Sequence, residues 1–203
     1  MINDGRHLRS CAFRNMGKCK PPTDQIGIGN YPMPYDMERN VDGVAFWLMK
    51  SEPEELAIDH LAAAPRKPFR WDGVHNYRAR NWMMAMEPGD RFFFAHSSCK
   101  VPGIAGVAEI IGAAYTDPTQ FEPESHYYDA DSKPEKPRWI SRDVRFVERF
   151  PQVLSLQTLR THTESLGHFH LLQKANRLSV MPVGADQWTY ILALARASST
   201  DAP

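Results

Sequence analysis

Cysteine is scarce in this chain of 203 residues: Cys11, Cys19 and Cys99 make an odd number with no Cys-x-x-Cys pair. Neither a disulfide framework nor a zinc knuckle is therefore expected. An excess of one charge is missing too, since 24 Lys and Arg balance 24 Asp and Glu and the pI lies near 7.1. That balance excludes the broad electrostatic footprint of a protein that coats duplex DNA or an anionic membrane, but it leaves room for a local site for one nucleotide. No apolar run reaches the roughly 20 residues that span a bilayer, and the first residues lack the apolar core of a secretory signal. An intracellular protein with no membrane partner is expected. Without a basic localisation cluster the expected place is a bacterial cytoplasm, or the nucleus if the source is eukaryotic.

The common catalytic motifs are also absent. There is no Gly-x-Ser-x-Gly, P-loop, His-Glu-x-x-His, dinucleotide fingerprint or deaminase zinc signature. Gly103-Ile104-Ala105-Gly106 looks like half a phosphate loop but leads into a strand pattern, not a helix N-terminus. His162, His168 and His170 miss the i, i+4 spacing of helical metal ligands and read as solvated side chains. His96 and Cys99 stand three apart in a turn, which does not establish a base and its nucleophile. No catalytic residue, metal or cofactor is expected.

What is present is ordinary globular material, 42% hydrophobic and 24% charged, enough for one domain with a sizeable core. Residues 1–42 mix Gly, Pro, Asn and charge without periodicity and read as a flexible leader. Met33 and Met37 offer alternative starts near the onset of order, and Arg6, Arg9 and Arg14 suit a transit peptide whereas Asp4 does not. The domain itself is expected over 43–197, with a frayed tail at 198–203. A central strand is read at 44–49, helices at 58–64 and 74–86, strands at 91–96 and 104–115, and a long proline- and acid-rich loop over 117–138. A half-exposed strand at 139–150, helical material at 155–162 and 171–175, a short strand at 177–181 and a helix at 185–195 complete the order. With no regular βαβ alternation, the fold class is α+β: a small mixed β-barrel of about five to six strands with flanking helices.

Polar and aromatic residues gather at the ends of these apolar elements: Lys50-Ser51-Glu52, Trp71-Asp72-Gly73 with Asn76, Tyr77, Arg80 and Asn81, and His96-Ser97. A planar heterocycle needs an aromatic wall, polar groups for its edge and a cation for phosphate, and this gathering supplies all three types. The alternative is that Trp71 and Tyr77 are core aromatics, Asp72 a cap, and His96 a side chain satisfied by backbone.

The same residues carry a resemblance. Phe46-Trp47-Leu48-Met49-Lys50-Ser51-Glu52-Pro53, Trp71-Asp72-Gly73-Val74 with Asn76-Tyr77 and Ala79-Arg80-Asn81, His96-Ser97 with Cys99-Lys100, Pro102-Gly103-Ile104-Ala105-Gly106, and Arg177-Leu178-Ser179-Val180 resemble, in order, the signature blocks of the EVE domain. That family belongs to the PUA-like superfamily with the YTH and ASCH domains, so the resemblance implies a PUA-like barrel and a reader of nucleic acid. The implied ligand is a single modified base, modified cytosine in DNA, with RNA bases as the other possibility. Carried onto this chain, the pocket would use Trp47, Lys50, Ser51, Trp71, Asn76, Tyr77, Arg80, His96, Ser97 and the backbone of Gly103, Ile104 and Ala105. Tyr128-Asp129 and Leu178-Ser179 would close its rim. His75 departs from a basic residue that some relatives carry in the Trp-Asp-Gly-Val block, which lowers the local positive charge.

On this reading a base is extruded from a duplex, or taken from a single strand, and stacked on an indole while Ser51 or Asn76 reads its edge. Two other classes stay open: an enzyme acting on a nucleobase or RNA, with His96 for acid–base chemistry and Glu52 the one nearby acid, and a protein-interaction module. The oligomeric state is left open.

Overall fold

The computed structural model describes residues 39–197. The expected leader up to residue 38 and the tail at 198–203 lie outside the described residues. In chain order the elements are β1 (Phe46–Ser51), α1 (Ile58–Ala63), β2 (Phe69–Trp71), α2 (Tyr77–Ala85), β3 (Arg91–His96), β4 (Gly103–Ile110), β5 (Tyr115–Thr116), β6 (Ile140–Ser155), α3 (Leu156–Thr161), α4 (Thr163–Leu166), β7 (Val180–Pro182) and α5 (Ala185–Ala197). Single 3-10 turns cover Pro118–Phe121 and His170–Leu172.

The strands form one mixed sheet in the order β2-β6-β4-β3-β1-β7, with β5 on the long β6. β1 and β3 run parallel; the other pairs are antiparallel. Register shifts in the β3–β4 and β4–β6 pairs bend the strands, and such bulges raise local twist and curl a sheet. β2 and β7, at the two ends, do not pair, so the expected barrel is a half-barrel of seven strands.

β1 and β3 are interior strands, each paired on both sides, which accounts for their apolar runs. Phe92, Phe93 and Phe94 are all fully buried, as a strand covered on both faces requires. Side chains alternate across a strand, so Phe92 and Phe94 meet the edge of Trp71 on one face. Phe93 stacks on Trp188 of α5 on the other, and Trp188 also stacks on Phe46. The Pro-Gly-Ile-Ala-Gly block is explained by packing: a Cβ at Gly103 would lie 2.3 Å from the carbonyl oxygen of Leu154, and one at Gly106 2.3 Å from that of Glu148. Only glycine lets β4 lie this close to β6.

The structure corrects several expectations, among them the short strand read at 177–181, which starts only at Val180. Residues 69–71, assigned to no element from the sequence, form a strand, β2, paired to β6 through Phe69↔Val144. The second helix starts at Tyr77 and not at 74, because the Asn76 side-chain oxygen accepts from the backbone N–H groups of Arg78 and Ala79 and caps it there. The strand expected over 104–115 is split into β4 and β5. The strand expected to end at 150 continues to Ser155. The long loop is pinned from inside by buried Gln120, whose amide donates to the carbonyls of Asp117 and Trp139 and accepts from the N–H groups of Arg138 and Trp139.

At the start of the described chain, Arg39 reaches the buried Asp90 at 2.7 Å. Asp90 also accepts from the backbone of Ala45 and Glu87 and from the Trp47 indole. No helix among the described residues is long and apolar enough to cross a membrane.

Candidate functional site

The parallel strands β1 and β3 end side by side, Lys50 opposite Ala95 and Ser51 opposite His96. Where they leave the sheet the chain turns polar, and the Ser97 N–H donates to the carbonyl of Ser51. Beyond these ends opens a cleft of about 490 Å³. Lys50, Ser51 and Glu52 form one side of it and Arg70 to Val74 a second, and Tyr127 of the long loop, Arg177 and Ser179 before β7, Glu55 and the Ser97-Ser98 turn also line it.

The second wall is held by Gly73, which has φ +71 and donates its N–H to Asp117 at 3.0 Å. The Tyr127 ring lies against it, so close that a Cβ would sit 2.5 Å from the ring. The Tyr127 hydroxyl donates to the Glu55 carboxylate, and burial together with that bond pushes its pKa well up. Asp72 is taken by Arg70 at 2.6 Å. Glu52 differs from these acids, for its carboxylate makes no hydrogen bond among the described residues, while its backbone carbonyl accepts from Glu55 and Leu56. Lys50 is partly buried and makes no ion pair among the described residues; burial lowers its pKa.

A second cleft, of about 640 Å³, adjoins the first and shares Lys50, Ser97, Ser98 and Arg177 with it. His96 lines it. Its Nε2 accepts from the Ile58 N–H at 3.2 Å, at the start of α1, which selects the neutral ring with its proton on Nδ1, and burial lowers its pKa.

Of the residues named from the sequence, Lys50, Ser51, Trp71, Ser97 and Ser179 meet at the first cleft, and Lys50, His96, Ser97 and Gly103 at the second. Others lie elsewhere. Trp47 is sealed in the core with its indole N–H on Asp90. Ile104 and Ala105 are core residues. Asn76 is spent on the helix cap. Tyr77 is exposed and packs on Trp139 and under Arg80, whose guanidinium donates to the Arg138 carbonyl. Asp129 accepts from the Trp139 indole and pairs with Arg138; Tyr128 is exposed beside it. Leu178 is half-buried, with its N–H on Asn176. Trp71 is 4% exposed, so it supplies an edge of the cleft and no free face for stacking. Glu52 is not the one nearby acid either, because Glu55 and Asp72 share the cleft.

Sequence reasoning missed Glu55, Arg70, Tyr127 and Arg177 as site residues. For Arg177 the signal existed, since it opens the last signature block; for Tyr127 the choice fell on its neighbour, Tyr128. Among the described residues no group of three or more His, Cys, Asp or Glu is placed to hold a metal ion.

Comparison with known proteins places these features in context. The EVE domain family matches residues 45–194. Thymocyte nuclear protein 1 of Mus musculus is 39% identical over 165 residues, covering 73% of this chain and 73% of its own. A crystal structure from Pseudomonas putida is 54% identical with a TM-score of 0.71, covering 74% of this chain and 99% of that one. The human THYN1 protein, solved in complex with 5-methylcytosine-containing DNA, is 37% identical with a TM-score of 0.70, covering 74% and 97% of the two chains.

Proposed function

The chain belongs to the EVE domain family, and on that footing we propose that it reads nucleic acid by taking one modified base, 5-methylcytosine in DNA, into the cleft at the ends of β1 and β3 without transforming it. One observation carries the reading: that cleft gathers an aromatic ring with a carboxylate and a partly buried ammonium that have no side-chain partner among the described residues. The complex of the human relative with methylated DNA supports the choice of ligand.

The roles follow from chemistry. Tyr127, lining the cleft and partly exposed, offers the stacking surface, worth about 1–3 kcal/mol per base. The Glu52 carboxylate accepts from the exocyclic amine that cytosine has and thymine lacks, and Ser51 serves the remaining edge. Lys50 and Arg177 take the phosphate. Extrusion from a duplex costs a few kcal/mol, so a single strand with the same base binds more tightly. A binding role, and not catalysis, is supported by His96, whose Nε2 is already occupied by the backbone of Ile58.

The test is a fluorescence titration with matched single- and double-stranded DNA and RNA oligonucleotides carrying plain cytosine, methylated cytosine or thymine at one position. The expected result is saturable binding without turnover, at least tenfold tighter for methylated DNA. Glu52→Gln should erase the preference for cytosine over thymine. Equal binding of every oligonucleotide, or turnover of any, refutes the reading.

A further inference from the structure

The second cleft differs from the first in charge. Glu52, Glu55 and Asp72 face the first. No acid lines the second, which has Lys50, Arg160, Lys174 and Arg177 around an apolar floor that includes Leu156 and Leu171. None of these four cations forms an ion pair among the described residues, although Arg39, Arg70, Arg138, Arg145, Arg149 and Arg196 all do. In a chain of zero net charge, four unneutralised cations around one concavity create a local positive field that global charge conceals. A second, independent feature marks the same place. Ser98 and Ala175, with φ of +52 and +57, are the two non-glycine residues with positive φ among the described residues, and both line this cleft. Backbone held in that region costs free energy and gathers at functional sites.

We infer that the second cleft holds the phosphodiester backbone of the strand on one side of the inserted base, so that the chain passes from the base cleft over the Ser97-Ser98 ridge to Arg160 and Lys174. This rests on the reading of the first cleft as the base site. The ligand class is a continuous polyanion with apolar sugar faces, which matches cations on the walls and leucines on the floor. Lys50 and Arg177, shared by both clefts, hold the phosphate nearest the base. Arg160 and Lys174 hold the following ones. Because these contacts touch no base edge, they add affinity and register without sequence preference.

The experiment measures binding of a short single-stranded DNA carrying one 5-methylcytosine, by fluorescence anisotropy between about 50 and 200 mM salt. Wild type is compared with the double variant Arg160→Ala/Lys174→Ala. Both side chains are exposed, so the fold should survive, and a thermal melt checks it. The double variant should bind about tenfold more weakly, lose about 1.4 from the slope of log affinity against log salt, and keep the preference for methylated over plain cytosine. The 5-methyldeoxycytidine monophosphate alone should bind wild type and variant equally. Wild-type binding with an unchanged slope in the variant overturns the inference and leaves the base reading intact. Equal losses for the monophosphate and the strand make the cleft a terminal-phosphate site and overturn it as well. Failure of wild type to bind any strand overturns both.

Discussion

Replacing Asp90 should unsettle the site from the far end of the strands that build it. Its carboxylate is 1% exposed. It accepts from the Ala45 N–H at 3.0 Å, the Glu87 N–H at 2.9 Å, the Trp47 indole at 3.1 Å and the Arg39 guanidinium at 2.7 Å. These bonds tie the start of β1 to the turn before β3 and hold the parallel register that brings Ser51 beside His96. In Asp90→Ala three N–H donors at this buried spot lose their acceptor. Each orphaned group costs about 1–3 kcal/mol, the costs are not additive, and loss of a buried charged hub totals about 3–5 kcal/mol. For a domain of this size that is a fall in Tm of roughly 10 °C or more. Asp90→Asn keeps one acceptor oxygen but turns an amide toward donors, so it should fall between. Arg39→Ala should cost only about 1–2 kcal/mol, because Arg39 is 30% exposed and the carboxylate keeps its three other donors. Urea denaturation with its m-value, beside thermal melts, gives the order Ala, Asn, then the Arg39 variant. Asp90→Ala within about 1 kcal/mol of wild type, or Arg39→Ala costing more than it, refutes the argument.

Asn76→Ala should lower stability by about 1 kcal/mol, the value of a helix N-cap, and leave base preference untouched; a changed preference in the titration would mean that Asn76 reads the base. Lys50→Met should melt at or above the wild-type temperature while binding anionic strands more weakly, since the ammonium sits partly desolvated with no ion pair among the described residues; a lower Tm with undiminished binding contradicts this. His96, depressed by burial below the ordinary 6.5, is protonated first in the unfolded chain. Its contribution is therefore complete above about pH 6.5 and is lost as pH falls through the lower folded value. His96→Gln keeps an acceptor for the Ile58 N–H without titrating, so its stability should vary less between about pH 7 and 5. Some slope should persist, because His75 is also lowered by burial; superimposable urea-denaturation profiles for the two proteins would show that His96 does not titrate as argued.

Much of the architecture can be read without coordinates. The runs at 44–49 and 91–96 are apolar enough to be interior strands, and β3 lies where the pattern puts it. Asn76 ahead of a helical pattern is a cap signal in its own right, and the glycines of the Pro-Gly-Ile-Ala-Gly block mark close backbone approach. The order of signature blocks pointed to the family that the comparison then showed. These features are local: they depend on side-chain period, on donors within three residues, or on the absence of a Cβ.

The site is legible only in part because its composition depends on direction and distance. A motif says that Trp47, Lys50 and Ser51 follow one another, but the two-residue period of the strand sends Trp47 toward Asp90 and the core while the strand's exit delivers Lys50 and Ser51 to the cleft. Nothing near Tyr127 announces that it will cross the long loop to rest on Gly73, since that contact joins segments 54 residues apart and exists only once Gln120 has folded the loop. The sequence alone determined most of the elements, the family and the polar ends of two interior strands. Tertiary structure decided which of those polar groups face a common space, because packing of the sheet against its loops turns a list of neighbours in sequence into neighbours in space.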